Sequence, residues 1–361
     1  MSPVLIILSF LILLAYAWYV LQLKPLHEEE QTNNEEITQV SIVVAFKNEA
    51  NKLPQLIDSL KSQSINHESF EVVLVDDNST DGSYELAKEL SAGSVEVQVL
   101  KNLYSGKKRA IQTGVHAAKH NWIIQTDADA ILPTNWIESI SKSITSEIDF
   151  IAAPLRVKTS NNRMVERFLA MENLALQQLT YSSIEAGKPL MCNGANMAYR
   201  KSVYLENENN LRFDIPSGDD TFLLIETWKK NPNRITYLTN QEAIVDTQAA
   251  DSYQDAVKQH TRWAKKVSAY SGAKHIQTTG WLLLTAHLLV LVLFFGGLTY
   301  KEIHFFFIYW IIKSFIDIRF TKNIQRFFNQ KMDATSVLSF NLFYPVFLTE
   351  VFIRSIIKKG A

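Results

Sequence analysis

A single cysteine, Cys192, occurs in this 361-residue chain, so no disulfide can form within it, and a reducing compartment fits. Basic residues are not in excess either. The net charge is -1, which gives no electrostatic footprint for nucleic acid. No glycine-rich turn follows the first strand-like run; Phe46-Lys47-Asn48-Glu49 stands there, which excludes a dinucleotide-binding fingerprint. Internal repeats and low-complexity segments are also missing. Charge is absent from Met1 to Leu23, and without a basic n-region or a small-x-small site after Leu21 a signal peptide is the weaker reading.

What is present is long apolar runs at both ends. Pro3 to Leu23 is as long as the roughly 20 residues that a helix needs to cross hydrocarbon. Ile276 to Tyr300 holds His287 but no Asp, Glu, Lys or Arg and should span as well. Glu302 to Phe320 is aromatic but carries Lys313 and Asp317, and Ala334 to Thr349 is uncharged but short. One helix is expected before the intervening domain and two or three after it. Lys258, Arg262, Lys265, Lys266 and Lys274 precede the second run, and no Asp or Glu lies between Ala256 and Tyr300. The positive-inside tendency therefore predicts a domain in the cytoplasm, and the membrane is expected to be a bacterial-type inner membrane.

The resulting organisation is a helix at 1–24, a polar, acidic linker at 25–38, a domain at 39–274 and a membrane region at 275–361. Within the domain, strand-like runs at 39–46, 71–75, 95–100 and 122–126 alternate with helical patterns at 53–63, 83–90, 107–119 and 133–145. Such alternation predicts an α/β fold with parallel strands, whose ligands bind beyond the carboxyl ends of the strands. Asp76 and Asp77 follow one strand and Asp127 and Asp129 another, so both pairs should face one edge. A long helix is expected over 162–185, and 191–201 reads as a turn leading into a short strand or helix.

Asp127 and Asp129 can present carboxylates to a hard divalent cation and to a ribose, although a solvated turn contains the same residues. Asp76 and Asp77 open a polar turn, and a carboxylate there can accept a hydrogen bond from the imide N–H of uracil. Asp219 and Asp220 precede the apolar helix 221–228; adjacent carboxylates repel, which can raise one toward the range of a general base. Gln259, Arg262 and Trp263 share one face if helical, with Asp251 and Gln254 as a capping pair. That face can be a basic membrane-surface helix and also a wall that stacks a sugar and meets a phosphate; neither reading excludes the other. Lys107, in Gly106-Lys107-Lys108-Arg109, can place a cation near a diphosphate, against a solvated basic face as the alternative, and Glu49 can contact ribose or base, although a helix-start acid explains it equally well.

Taken in order, Ser41 to Ala50, Val75 to Gly82, Gly106-Lys107 with Gln112-Thr113-Gly114, Asp127-Ala128-Asp129, Cys192 to Asn196 and Gln259 to Trp263 resemble family 2 glycosyltransferases. These are the membrane-associated enzymes that include cellulose and poly-N-acetylglucosamine synthases, with ceramide glucosyltransferases more distant. The resemblance implies a GT-A fold, a nucleoside-diphosphate sugar donor (UDP above all), Mg or Mn, and inversion at the anomeric carbon. It would put Glu49, Asp76, Asp77 and Lys107 at the donor, and Asp127 and Asp129 at ribose, diphosphate and metal. Asp220 would be the general base. Asn193, Asn196, Asp219, Gln259, Arg262 and Trp263 would stand at acceptor and diphosphate. The acceptor would be a membrane lipid, a lipid-linked sugar or a growing glycan at the bilayer. Where processive synthases carry Thr-Glu-Asp, this chain has Ser217-Gly218-Asp219-Asp220, and it has fewer membrane helices than a polymer channel uses. A processive polysaccharide synthase, a silent sugar-nucleotide-binding subunit and a pyrophosphate-releasing nucleotidyltransferase are the competing readings.

Overall fold

A computed structural model describes residues 1–28, 37–92, 96–159, 163–270 and 272–357. Most of the expected 25–38 linker lies outside the described residues. The chain begins with α1 (Pro3–Gln22), and an alternating series follows: β1 (Val40–Phe46), α2 (Leu53–Lys61), β2 (Phe70–Asp76), α3 (Ser83–Leu90), β3 (Glu96–Lys101), α4 (Lys107–Ala117), β4 (Trp122–Asp127) and α5 (Trp136–Lys142). Next come β5 (Phe150–Ala152), β6 (Leu155–Lys158), α6 (Met164–Glu185), β7 (Asn196–Arg200), α7 (Lys201–Asn207) and α8 (Asp219–Lys230). β8 (Ile235–Tyr237), β9 (Val245–Gln248), α9 (Tyr253–Ala264), α10 (Lys274–Tyr300), α11 (His304–Phe327) and α12 (Ala334–Ile356) complete the series.

These elements form two compact units, one of residues 28–158 and 187–248, the other of residues 1–27, 159–186 and 249–361. Segments 159–186 and 249–274, which the sequence ranges join to the domain, pack in the second unit.

In the first unit the described residues form a seven-stranded sheet of order β3-β2-β1-β4-β7-β5-β8, and a two-stranded sheet pairs β6 with β9. β1 and β2 are buried along their whole length. Their unbroken Val/Ile runs suit strands covered on both faces, which is why they pair in parallel. Register fixes the ligand edge: Phe46 lies opposite Asp76, and Ala45 opposite Asp127, so β1, β2 and β4 end level. The exception to the parallel expectation is β7, antiparallel to both β4 and β5. Because it runs backwards, its first residue, Asn196, pairs with Thr126 and delivers the 193–196 turn to the same edge.

The second unit is helical. Three helices among the described residues are long and apolar enough to cross a membrane: Pro3–Gln22, Lys274–Tyr300 and Thr335–Ile356. Leu13, Tyr16, Val20, Val290, Leu293, Phe306 and Tyr309 make its main core. α11 buries Lys313 completely, its ammonium 2.7 Å from Asp317 Oδ2 and 3.0 Å from Asn341 Oδ1. An uncompensated charge in such surroundings would cost several kcal/mol, so the pairing accounts for this helix tolerating both residues.

Candidate functional site

The loops that leave β1 and β2 are tied together. Asn48, in the left-handed region at φ 57, accepts from Thr80 N through its side chain, while Asn48 N donates to Ser79 Oγ and Glu49 N to Ser83 Oγ. Glu49 is thereby held beside the end of β4. Its carboxyl is raised above the usual range, first by burial and then by Asp129. Asp129 is raised for the same reasons, burial first and the Asp127 charge next, with Lys107 opposing. Lys107, in the first turn of α4, donates to Asp127 Oδ1 at 2.6 Å. Burial alone would lower this ammonium, but Asp127, Asp219 and Asp220 outweigh it and raise it. Glu49, Lys107, Asp127, Asp129, Asp219 and Asp220 therefore act on one another within one electrostatic cluster at the carboxyl edge of the sheet.

Asp220 lies in the first turn of α8, which starts at Gly218 with φ 89, a value that L side chains adopt only under strain. The departure from Thr-Glu-Asp thus coincides with a left-handed backbone position that favours glycine. Asp220 Oδ1 accepts from Thr221 N at 2.6 Å and Oδ2 from Gly194 N at 3.1 Å, so the 193–196 turn and the helix start orient it jointly.

One of the other candidates is placed differently from expectation. Asn196 is completely buried; its amide donates to the Pro154 and Ala243 carbonyls and its Oδ1 accepts from Trp136 Nε1. Protein groups use both ends of this side chain, so it braces the sheet and does not meet an acceptor. Asp219 is buried too, its Oδ2 accepting from Gln125 Nε2 at 2.8 Å, which ties α8 to β4. Asp76 is buried and its Oδ1 accepts from Ser79 N, closing its own turn at the expected donor edge. Asp77 Oδ1 accepts from Asn102 Nδ2 and Gly106 N, both at 2.8 Å, and so fixes the start of α4 and with it Lys107. Asn193 is half-buried in the turn before β7.

Sequence reasoning missed Gln125, whose amide bridges Asp219 and the Gly194 carbonyl while its Oε1 accepts from Tyr199 OH. A glutamine within an otherwise apolar β4 run was the available signal. Asn102, just past β3, was missed as well.

Gln259, Arg262 and Trp263 belong to the second unit and lie on α9, one face of which they share as expected. The cap differs: Ser252 Oγ accepts from Asp255 N and donates to Asp255 Oδ2, so Ser252 and Asp255 replace the expected Asp251 and Gln254. Arg262 and Trp263 are exposed. The helical unit also contains a cavity of about 220 Å³, with Val20, Leu176, Leu283 and Phe320 among its apolar lining and Glu172 and Tyr344 among its polar groups.

Among the described residues no group of three or more His, Cys, Asp or Glu side chains is arranged to hold a metal ion. The cluster instead offers the carboxylates of Asp127 and Asp129. Such a pair suits Mg or Mn that completes its shell with water and substrate phosphate, the usual manner of binding Mg²⁺.

The sequence model described as Glycosyl transferase family 2 matches residues 41–207. An undecaprenyl-phosphate 4-deoxy-4-formamido-L-arabinose transferase of Aeromonas hydrophila is 34% identical over 127 residues, 34% of this chain and 39% of the relative. The enzyme of the same name from Yersinia pestis is 30% identical over 154 residues, 42% of this chain and 47% of the relative. The matched stretch thus spans under half the length of either curated relative. Among solved structures, a mannosyltransferase of Pyrobaculum calidifontis in complex with GDP-Man and Mn2+ aligns with TM-score 0.61 at 14% identity, covering 99% of this chain and 98% of that one. The motif resemblance to family 2 therefore holds over 41–207, and the fold is GT-A: a mostly parallel sheet with flanking helices, with membrane-grade helices at both ends of the chain.

Proposed function

We propose that this chain is an inverting, metal-dependent glycosyltransferase that moves a hexose-type sugar from a UDP-linked donor to a lipid phosphate at a membrane. The observation that carries the proposal is the cluster of Glu49, Lys107, Asp127, Asp129 and Asp220 at the level ends of β1, β2 and β4. It offers carboxylates for a cation and a ribose, and a lysine for a diphosphate. The names of the curated relatives supply the acceptor class, undecaprenyl phosphate. Three membrane-grade helices and an apolar cavity among them suit a prenyl chain.

In this reading Asp127 and Asp129 hold Mg or Mn, which when bound neutralises charge on the departing diphosphate. Lys107, kept charged by its acidic neighbours, meets the same diphosphate. Asp77 and Glu49 select base and ribose. Asp220 takes the proton of the attacking acceptor oxygen as that oxygen bonds to the anomeric carbon and the bond to the diphosphate breaks. A phosphate acceptor loses its second proton at roughly pH 6, so the base is needed most below that value. Gln259, Arg262 and Trp263 recognise the acceptor headgroup: the guanidinium can pair with phosphate in a fork, and the indole can cover a ring. The basic residues preceding α10 favour a cytoplasmic catalytic domain on an inner membrane.

The test incubates membranes containing the protein with a panel of labelled nucleotide sugars, with Mg, with Mn and with chelator, and identifies labelled products by mass and anomeric configuration. One sugar on a lipid phosphate with inverted configuration, lost with chelator, is expected. A ladder of lengths would identify a polysaccharide synthase, pyrophosphate release a nucleotidyltransferase, and no transfer from any donor would sink the proposal.

A further inference from the structure

His260 lies between Gln259 and Trp263 in the motif. Its ring is centred 4.5 Å from that of Trp263, in the same helix, and 4.9 Å from that of Phe347 in α12. Nδ1 is 2.8 Å from the Ala256 carbonyl, and a carbonyl can only accept, so Nδ1 carries a proton. Nε2 is 2.8 Å from Glu172 Oε2 on α6, a close charge contact and not a straight hydrogen bond. With Nδ1–H committed, an unprotonated Nε2 would press its lone pair against a carboxylate oxygen. The contact is therefore stable only with a further proton held by the pair. Glu172 is itself fixed by Tyr344, whose hydroxyl donates to Oε1 at 3.0 Å.

We infer that His260, as an imidazolium paired with Glu172, is a positioning residue that fixes the exposed Trp263 indole for the acceptor. The inference rests on the proposed role of α9 in acceptor recognition. The groups facing the ring are Glu172 from α6, Phe347 from α12, and Trp263 and the Ala256 carbonyl from α9 itself; Tyr344 acts through Glu172. Burial in this packing would lower the imidazole, but the Glu172 charge reverses it, and the net direction is upward. Trp263 has 37% of its surface exposed, so the indole is anchored at one edge and open at another. The pair forms at and below the ordinary imidazole value of about 6.5 and is lost as pH rises through the elevated one.

The experiment uses the full chain in lipid nanodiscs, with isotope-labelled histidine followed by NMR against pH; His260 is assigned by the signal that disappears in His260→Gln. Titration above the ordinary imidazole value is expected. It should fall below that value in Glu172→Gln and be retained in Glu172→Asp, which keeps the charge. In parallel, KM for the lipid phosphate should climb about tenfold to a hundredfold in His260→Gln, with donor KM unchanged, and should climb in the wild type as pH passes His260's titration. Titration at or below the ordinary value, or an unaltered acceptor KM in His260→Gln, would overturn the inference. The NMR arm needs no turnover, so it separates failure of the ion pair from failure of the glycosyltransferase reading, which the wild-type transfer assay reports.

Discussion

Thr221 and Gly194 each give a backbone N–H to Asp220, one to each carboxylate oxygen. Asp220→Asn keeps the volume and removes the basicity. Donor affinity should be unchanged while turnover falls by a factor of about 10² to 10⁴. For a phosphate acceptor the deficit should be deepest below about pH 6 and shallower above it. Equal deficits across the pH range would point to a hydroxyl acceptor, and normal turnover would remove Asp220 from the chemistry. Glu49, Asp127 and Asp129 were legible in the sequence because each follows an apolar strand run, and strand ends mark the ligand edge. Asn196 was misread because composition does not say which polar side chains the fold buries; both ends of its amide are used by internal hydrogen bonds.

At the scale of elements, α4 depends on Gly114, where an added Cβ would fall 2.5 Å from Val43 Cγ1 and 3.2 Å from Val75 Cγ2. Gly114→Ala should cost about 1–3 kcal/mol through overpacking against β1 and β2, visible as a lower melting temperature. Unchanged melting would mean that α4 shifts freely. Because α4 carries Lys107, activity should fall further than stability alone explains. The cap of α9 allows a milder test. Ser252→Ala removes the acceptor for Asp255 N and should cost about 1 kcal/mol, read by amide exchange across 253–264. Parallel strands and their crossover helices were legible from period and turn residues. The antiparallel β7 was not, since a strand as short as Asn196–Arg200 reads the same in either direction.

For the whole molecule, the raised carboxyls of Glu49 and Asp129 have a thermodynamic consequence. A carboxyl whose folded value is raised contributes stability below its unfolded value, and that contribution is lost as pH rises through the folded one. Near neutral pH the charged forms of these two carboxyls therefore oppose folding, and a divalent cation should relieve them. Mg or Mn should raise the melting temperature most at neutral pH and progressively less toward acid, where protons compete for the same oxygens. Asp129→Asn should abolish most of the shift. A shift independent of pH and of Asp129 would place the cation elsewhere. The orientation is testable too: Cys192 is buried, so Lys265→Cys supplies a new accessible thiol. An impermeant reagent should label it in inverted vesicles and not in right-side-out ones.

Sequence by itself determined which segments are apolar enough for membrane or sheet, which turns carry carboxylates, and in what order, because periodicity, charge and turn chemistry are local properties. Tertiary structure decided which of those carboxylates meet. Register aligned the ends of β1, β2 and β4, the reversed β7 brought Gly194 to Asp220, and burial diverted Asn196 to internal bonds. It also paired His260 with Glu172, 88 positions apart in the chain, a contact that only the packing of helices could create.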